Sequence, residues 1–423
     1  MPDPVVVRGG VVDAPAAPVA AGHEPTRPTR ADLVRTGVAL LLLATLLGAA
    51  YVVHGLEVAP GGSVAADAAV LLLVGAALGI AFERGRFCFF CISRDFAERR
   101  DADGLRSILT ALAVGAIGYA AVLSLFVPDP TAGRLPPEAH IGPVTPVLAL
   151  GGFVFGIGMV LSHGCIAGHL YRITQGAVRS GVALVGTLVG FGLGFWTWNR
   201  LYLGLIGNRA PETWLPTSLG YGGALLATLA VLALVAALLG RWPSRSTTPP
   251  RATGVVGTWR RLVVDRWPPL LTGVVVGLVG VASYLLVGPL GVTAQLGSVT
   301  RSVLDAEGAL PGTLHGLDAF AGCATVVAGA VIDNGWLVIG LVVGAFAAAL
   351  AGGRVRLERV GATGAVAALV GGVLLGWGAM TALGCTVGVL LSGTQAFALS
   401  GWVFAAAFVL GAALAFRFRL QDL

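Results

Sequence analysis

Five cysteines stand out in the sequence: Cys88, Cys91, Cys165, Cys323 and Cys385. The stretch GRFCFFCISRD (85–95) sets Cys88 and Cys91 three apart beside arginine and aspartate, directly after an apolar run. That Cys-x-x-Cys spacing suits a zinc knuckle or a dithiol redox pair. Either needs context: a second Cys-x-x-Cys or a His pair for the metal, a flanking βαβ pattern for the redox centre. Neither accompanies it. Thiols packed as small hydrophobes are the third reading. SHGCIAG (162–168) and LGCTVG (383–388) each interrupt an apolar run with Gly-Cys and a further glycine three residues on. Glycine ends helices, so a helix break with a cysteine at its tip is expected at Gly164, Cys165 and Gly168 and again at Gly384, Cys385 and Gly388. The helix that restarts after each break turns backbone N–H groups toward the gap, an arrangement suited to an anion. Thr174-Gln175 and Thr394-Gln395 follow about two helical turns later, and Gln175 and Gln395 join the candidate site. His163 and His169 flank Cys165. They could form a Cys-His nucleophile, but no acidic orienting residue lies close, and tuning polarity or facing water is the reading adopted. Cys323 reads as structural. Asp318 and Asp333, in an irregular stretch, read as exposed loop positions.

The elements carrying these residues are membrane spans. The chain has 423 residues, 56% hydrophobic and only 11% charged, with mean hydropathy +0.86, against about 25% charged in a soluble domain. Ten runs reach the ~20 residues that cross a bilayer: 37–55, 66–83, 107–126, 146–163, 180–206, 218–240, 267–287, 335–351, 361–382 and 396–416. The fold class is all-α: a polytopic membrane protein of about ten spans with short broken or re-entrant helices. Arginine clusters after the second, sixth, eighth and tenth runs fall on one face, and loops 127–145 and 207–217 on the other carry prolines and few charges. The positive-inside rule puts both termini in the cytoplasm and the protein in the cell (inner or plasma) membrane. In that setting Arg84, Arg86 and Arg94 read as helix-end anchors at the lipid surface rather than catalysts. The +6 net charge then belongs to loop topology, and no nucleic-acid partner is expected.

GGFVFGIGMVLSHGCIAGHLYRITQGAVRSG (151–181) aligns without gaps on GGVLLGWGAMTALGCTVGVLLSGTQAFALSG (371–401), an offset of 220 with 12 identities in 31 positions. Seven are glycines. The other five are Cys165/Cys385, Leu170/Leu390, Thr174/Thr394, Gln175/Gln395 and Ser180/Ser400. An odd number of spans separates equivalent helices, so the repeat is expected to be inverted, with broken helices meeting near the midplane. The expected divisions are a disordered cytoplasmic tail (1–32), an extra N-terminal span (33–64), a first repeat (65–217), a connecting span and loop (218–266) and a second repeat (267–423). Residues 289–334 are neither clean loop nor clean span and are expected to hold short broken helices.

GRFCF followed by SRD, together with two Gly-Cys-x-x-Gly breaks on inverted repeats, resembles the YeeE/YedE family of sulphur transport membrane proteins over roughly residues 65–418. The resemblance implies an hourglass-like helical protein that takes up thiosulfate. It implies that Cys88, Cys165 and Cys385 line a central path and pass the anion along by thiol–sulfur hydrogen bonds. It further implies a small cytoplasmic sulfur carrier of the TusA type as a partner, with the lipid bilayer as surroundings. Cys91 is an additional thiol beside the matching position.

The expected function is transmembrane uptake of thiosulfate or a related sulfur-containing anion, with no enzymatic activity, cofactor or metal. No GxxxxGK[ST] motif is present, and the chain has no lysine. Two alternatives stand beside it: a membrane thiol–disulfide oxidoreductase using Cys88 and Cys91, and a permease for another anion such as sulfite or a selenium compound.

Overall fold

The computed structural model describes residues 29–55, 65–207, 211–242, 260–317, 325–329 and 331–423. Most of the tail, Asp318 and Cys323 lie outside the described residues. Within them are thirteen α-helices: α1 (Arg30–His54), α2 (Ala65–Gly85), α3 (Phe89–Arg99), α4 (Asp103–Phe126), α5 (Pro146–Ser162), α6 (Ile166–Ile173), α7 (Val178–Leu201), α8 (Leu215–Leu239), α9 (Pro269–Leu286), α10 (Ala294–Ala306), α11 (Asp333–Ala351), α12 (Ala362–Thr381) and α13 (Leu399–Arg417). Ten are long and apolar enough to cross a membrane, one for each apolar run in the sequence. The three short ones, α3, α6 and α10, sit in the interruptions. α10 supplies the broken-helix character expected of 289–334.

Helix ends follow local chemistry. Thr145 caps α5 by accepting from the Leu148 N–H at 3.1 Å, and Pro146 occupies the first turn, where its missing N–H costs nothing. Thr29 and Asp32 close a capping box at the start of α1.

Two sets of helix pairings, two pairs in each, organise the interior. α2 runs along α11 while α4 runs along α9; α7 runs along α12 while α5 runs along α13. In the register of the 220-residue offset, α5 corresponds to α12 and α7 to α13, so the second pair of contacts maps onto itself with the halves exchanged. Small residues permit this closeness. A Cβ on Gly75 would overlap the Leu337 carbonyl oxygen, and one on Gly340 would overlap that of Leu72, so α2 and α11 meet backbone to backbone. Such contact replaces the hydrophobic driving force that lipid cannot supply. α1 and α8 lie at the periphery and turn leucines and valines outward, among them Leu40, Leu41, Leu226 and Leu234.

Candidate functional site

The peptide after α2 turns sharply at Arg86 (φ +49) and delivers Cys88 as the N-cap of α3, in extended backbone. Phe87 stacks on Phe82 and meets Phe89 edge-on, and Phe89 meets Phe408 of α13, so an aromatic wall fixes the turn. Cys88 is fully buried; Cys91, one turn into α3, is 8% exposed.

The first helix break lies between α5 and α6. His163 closes α5 in the left-handed region (φ +69), a conformation that costs a non-glycine residue on the order of 1 kcal/mol. The orphan carbonyls of α5 are taken by cations, as a helix C-terminus favours. Arg172 donates to the His163 carbonyl at 2.7 Å and Arg179 to that of Leu161 at 2.9 Å. Cys165 then caps α6, its sulfur accepting from the Gly168 N–H at 3.3 Å. His169, fully buried, sits between two serines: Nε2 is 3.0 Å from Ser162 Oγ, and Nδ1 is 3.2 Å from Ser180 Oγ. The Ser162 hydroxyl points its proton at the carbonyls of Gly158 and Gly164 (2.8 and 3.1 Å), so it accepts from Nε2–H and leaves Nδ1 to accept from Ser180.

The second break repeats the left-handed residue and the N-cap cysteine, with other side chains and a different turn at the glycine. Leu383 takes the left-handed position (φ +57), and Gly384 a φ of +152 open to glycine alone. Cys385 holds the N-cap position of the next segment, and that segment, 386–393, is a π-helix rather than an α-helix. π-segments concentrate at functional sites. Gly388 is buried within it.

The structure brings the thiols together. The Cys88 side chain interacts with those of both Cys91 and Cys165. Cys165 also interacts with the side chain of Thr386, the residue that follows Cys385, and Cys385 is near enough for its charge to act on Cys165. A Cβ on Gly168 would stand 3.1 Å from the Cys88 sulfur and 3.4 Å from that of Cys165, so this glycine makes room for both. Gly164 likewise clears the His169 ring, whose Cε1 would lie 2.7 Å from an added Cβ. The two glutamines hydrogen-bond to other elements. Gln175 donates to Glu83 at 3.3 Å, and Gln395 donates to the Ala111 carbonyl of α4 at 3.0 Å. Asp333 is exposed at the start of α11. Among the described residues no group of three or more His, Cys, Asp or Glu side chains could hold a metal ion.

Arg84 departs from the expected lipid-surface anchor. It is 2% exposed, donates to the Val264 carbonyl at 2.8 Å and lies 3.9 Å from Glu83. Glu83 itself is fully buried and is gripped by Arg354 from the end of α11, at 2.5 and 2.8 Å. Arg266 donates to the Glu83 carbonyl at 3.2 Å. This buried cluster ties α2, α11, the segment before α9 and the turn after α6 at the arginine-bearing end. Sequence reasoning passed over Glu83. The signal was a carboxylate closing the apolar run of α2, where burial demands a partner.

At the opposite end, a hollow of about 390 Å³, counted together with the open solvent at its mouth, lies beside the second break, lined by His140, Thr145, Thr381, Leu383, Val389 and Ser400 among others. A smaller one of about 230 Å³ shares Leu383 and is lined by Thr293 and Thr325, whose buried hydroxyls find no partner among the described residues. His140 lies in the proline-rich loop 127–145, outside the spans, and desolvation pulls its imidazole down to about 4. Thr293 caps α10 as Cys88 caps α3, so a hydroxyl holds that place in the second half.

Buried thiols thus stand at two helix breaks, with a hollow beside the second break and an ionic clasp at the arginine-bearing end. The family described as Sulphur transport matches residues 84–414. The chain is 28% identical over 354 residues to a protein of Escherichia coli named Thiosulfate transporter TsuA, covering 80% of this chain and 91% of that one. A protein of the same name from Spirochaeta thermophila is 28% identical over 369 residues, covering 80% and 95%. Over 174 residues, 41% of each chain, it is also 28% identical to an Escherichia coli protein named Probable transporter YedE.

Proposed function

We propose that this protein, which belongs to the Sulphur transport family, takes up thiosulfate across a membrane by way of the Cys88–Cys165–Cys385 cluster. The observation that carries the proposal is that two helix breaks 220 residues apart converge: the Cys88 and Cys165 side chains meet, and Cys165 reaches Thr386, the residue after Cys385 in the second break. Thiosulfate is a dianion with a soft terminal sulfur. A thiol is a weak donor and a polarizable acceptor. Weak sites in series bind without trapping, which conduction requires, whereas a row of bare guanidinium groups would hold a dianion too firmly. The hydrogen bonds of the buried arginines support this reading: Arg84, Arg172, Arg179 and Arg354 donate to carbonyls, and Arg354 clasps Glu83 as well.

In this reading the arginine-bearing face is cytoplasmic, the protein resides in an inner or plasma membrane, and the 390 Å³ cavity faces outward. The two halves form an inverted repeat, supported by the exchanged helix pairs. A small sulfur-carrier protein of the TusA type receives the anion at the cytoplasmic face.

Uptake of labelled thiosulfate into cells lacking other importers tests the function, and Cys88→Ala, Cys165→Ala and Cys385→Ala test the route. Uptake that survives all three substitutions overturns the thiol route. The Cys88–Cys91 contact favours one rival, dithiol–disulfide exchange. That rival requires Cys91→Ala to be as damaging as Cys88→Ala; transport predicts the smaller loss for Cys91→Ala.

A further inference from the structure

The two breaks share a register, so side chains on one can be set against those on the other. Ser162, His163, His169 and Ser180 of the first half correspond to Ala382, Leu383, Val389 and Ser400 of the second. All four of the latter line the 390 Å³ cavity. Among their counterparts, Ser162 and Ser180 have the His169 imidazole between them, packed against Gly164 and fully buried. His163 covers it further out, stacked on Phe90 at 5.1 Å, with Nε2 2.8 Å from the Gln421 carbonyl oxygen.

The geometry points to His169 as a side-chain gate: its imidazole fills the counterpart of the open cavity and so closes the thiol cluster toward the arginine-bearing face. Val389, at the same position in the other half, is too small to do this, and its cavity stands open. The gate is held by hydrogen bonds to two hydroxyls rather than by an ion pair, so swinging the ring away breaks two neutral bonds and strands no charge. The freed chamber would present Ser162, Ser180 and the backbone at Gly164 to an anion leaving Cys165. His169 is a positioning residue here and takes no part in any bond made to the anion. The idea extends the proposed transport, but its test does not depend on which anion is carried.

The test is the alkylation rate of Cys165 by N-ethylmaleimide in the purified full-length protein. Cys165 is the sole cysteine between Arg134 and Arg172, so one tryptic peptide reports it. In His169→Val, Cys165 labelling rises by about tenfold, the factor for releasing a ring held by on the order of 1.4 kcal/mol. In His169→Phe, which keeps the volume and drops the hydrogen bonds, labelling stays slow. Equal exposure in both variants makes His169 a structural brace and overturns the proposal, as does unchanged labelling in His169→Val. The reverse exchange, Val389→His, carries the test if His169→Val does not fold. It fills the open cavity, and labelling of Cys385 drops; an unaltered Cys385 rate overturns the proposal. Failure of thiosulfate uptake in the wild type would sink the transport reading while leaving this labelling pattern intact.

Discussion

The helix breaks at Cys165 and Cys385 share a left-handed residue, a glycine and an N-cap cysteine, and differ in nearly everything else. The first is charged and full. Arg172 and Arg179 cap the carbonyls of α5, His169 occupies the gap between two serines, and Gln175 beyond it reaches the buried Glu83. The second is neutral and hollow. Ser392 and Leu399 stand where the arginines would be, Val389 replaces the imidazole, and the segment relaxes into a π-helix beside a cavity. A left-handed residue, a glycine and a cysteine suffice to repeat the break. The surrounding side chains then decide whether that end is clasped or open.

If the first break rests on a polar scaffold, removing that scaffold should cost more than anything done near the second. Glu83→Gln leaves the buried Arg84 and the clasping Arg354 without their counter-charge, and should lower stability by ~3–5 kcal/mol in thermal unfolding in detergent. Gln395→Leu, which loses one bond to the Ala111 carbonyl, should cost about 1 kcal/mol. A reversal of that order would break the comparison.

Acid should strike the hollow end first. Burial keeps His140 neutral down to about 4, whereas unfolded it titrates near 6.5. Between those values the unfolded chain binds the extra proton. Stability therefore falls as pH drops through that window, by up to on the order of 3 kcal/mol. His140→Leu should flatten the dependence of melting temperature on pH between about 6.5 and 4.

Cys165→Ala and Cys385→Ala should each reduce uptake by about tenfold, or ~1.4 kcal/mol, if both breaks serve one route. A silent Cys385→Ala would sharpen the contrast by confining the route to the first break. Smallest of all, Ser180→Ala should cost about 1 kcal/mol in stability, because Nδ1 of His169 loses its donor. Ser400→Ala, whose Oγ accepts from the Gly142 N–H at a longer 3.3 Å beside the cavity, should cost less.

Much of this was legible in the sequence. Ten apolar runs became ten helices because a span is set by length and hydropathy alone. The breaks at Cys165 and Cys385 were legible because glycine placement is a local signal and the offset of 220 repeats it. Gln175 and Gln395 were read into the site on the same alignment, and in the structure their side chains hydrogen-bond to Glu83 and to α4. No local pattern encodes those partners. The Glu83–Arg354 clasp joins residues 271 apart, so neither partner announces the other. The mismatch of His169 with Val389 was visible from the start, but its meaning depends on a cavity formed in part by the fold-back of loop 127–145.

The glycine seams have a bearing on motion. Where α2 meets α11, each helix's carbonyls fill the other's missing side chains, and a Cβ on Gly156 or Gly411 would likewise overlap the carbonyl oxygens of Phe408 and Phe153, between α5 and α13. Helices meshed at the backbone cannot slide or tilt past one another without first separating. A frame of this kind disfavours rocking bundles and elevator strokes. It leaves the substrate to pass through a stationary wall in which only side chains and two short breaks give way.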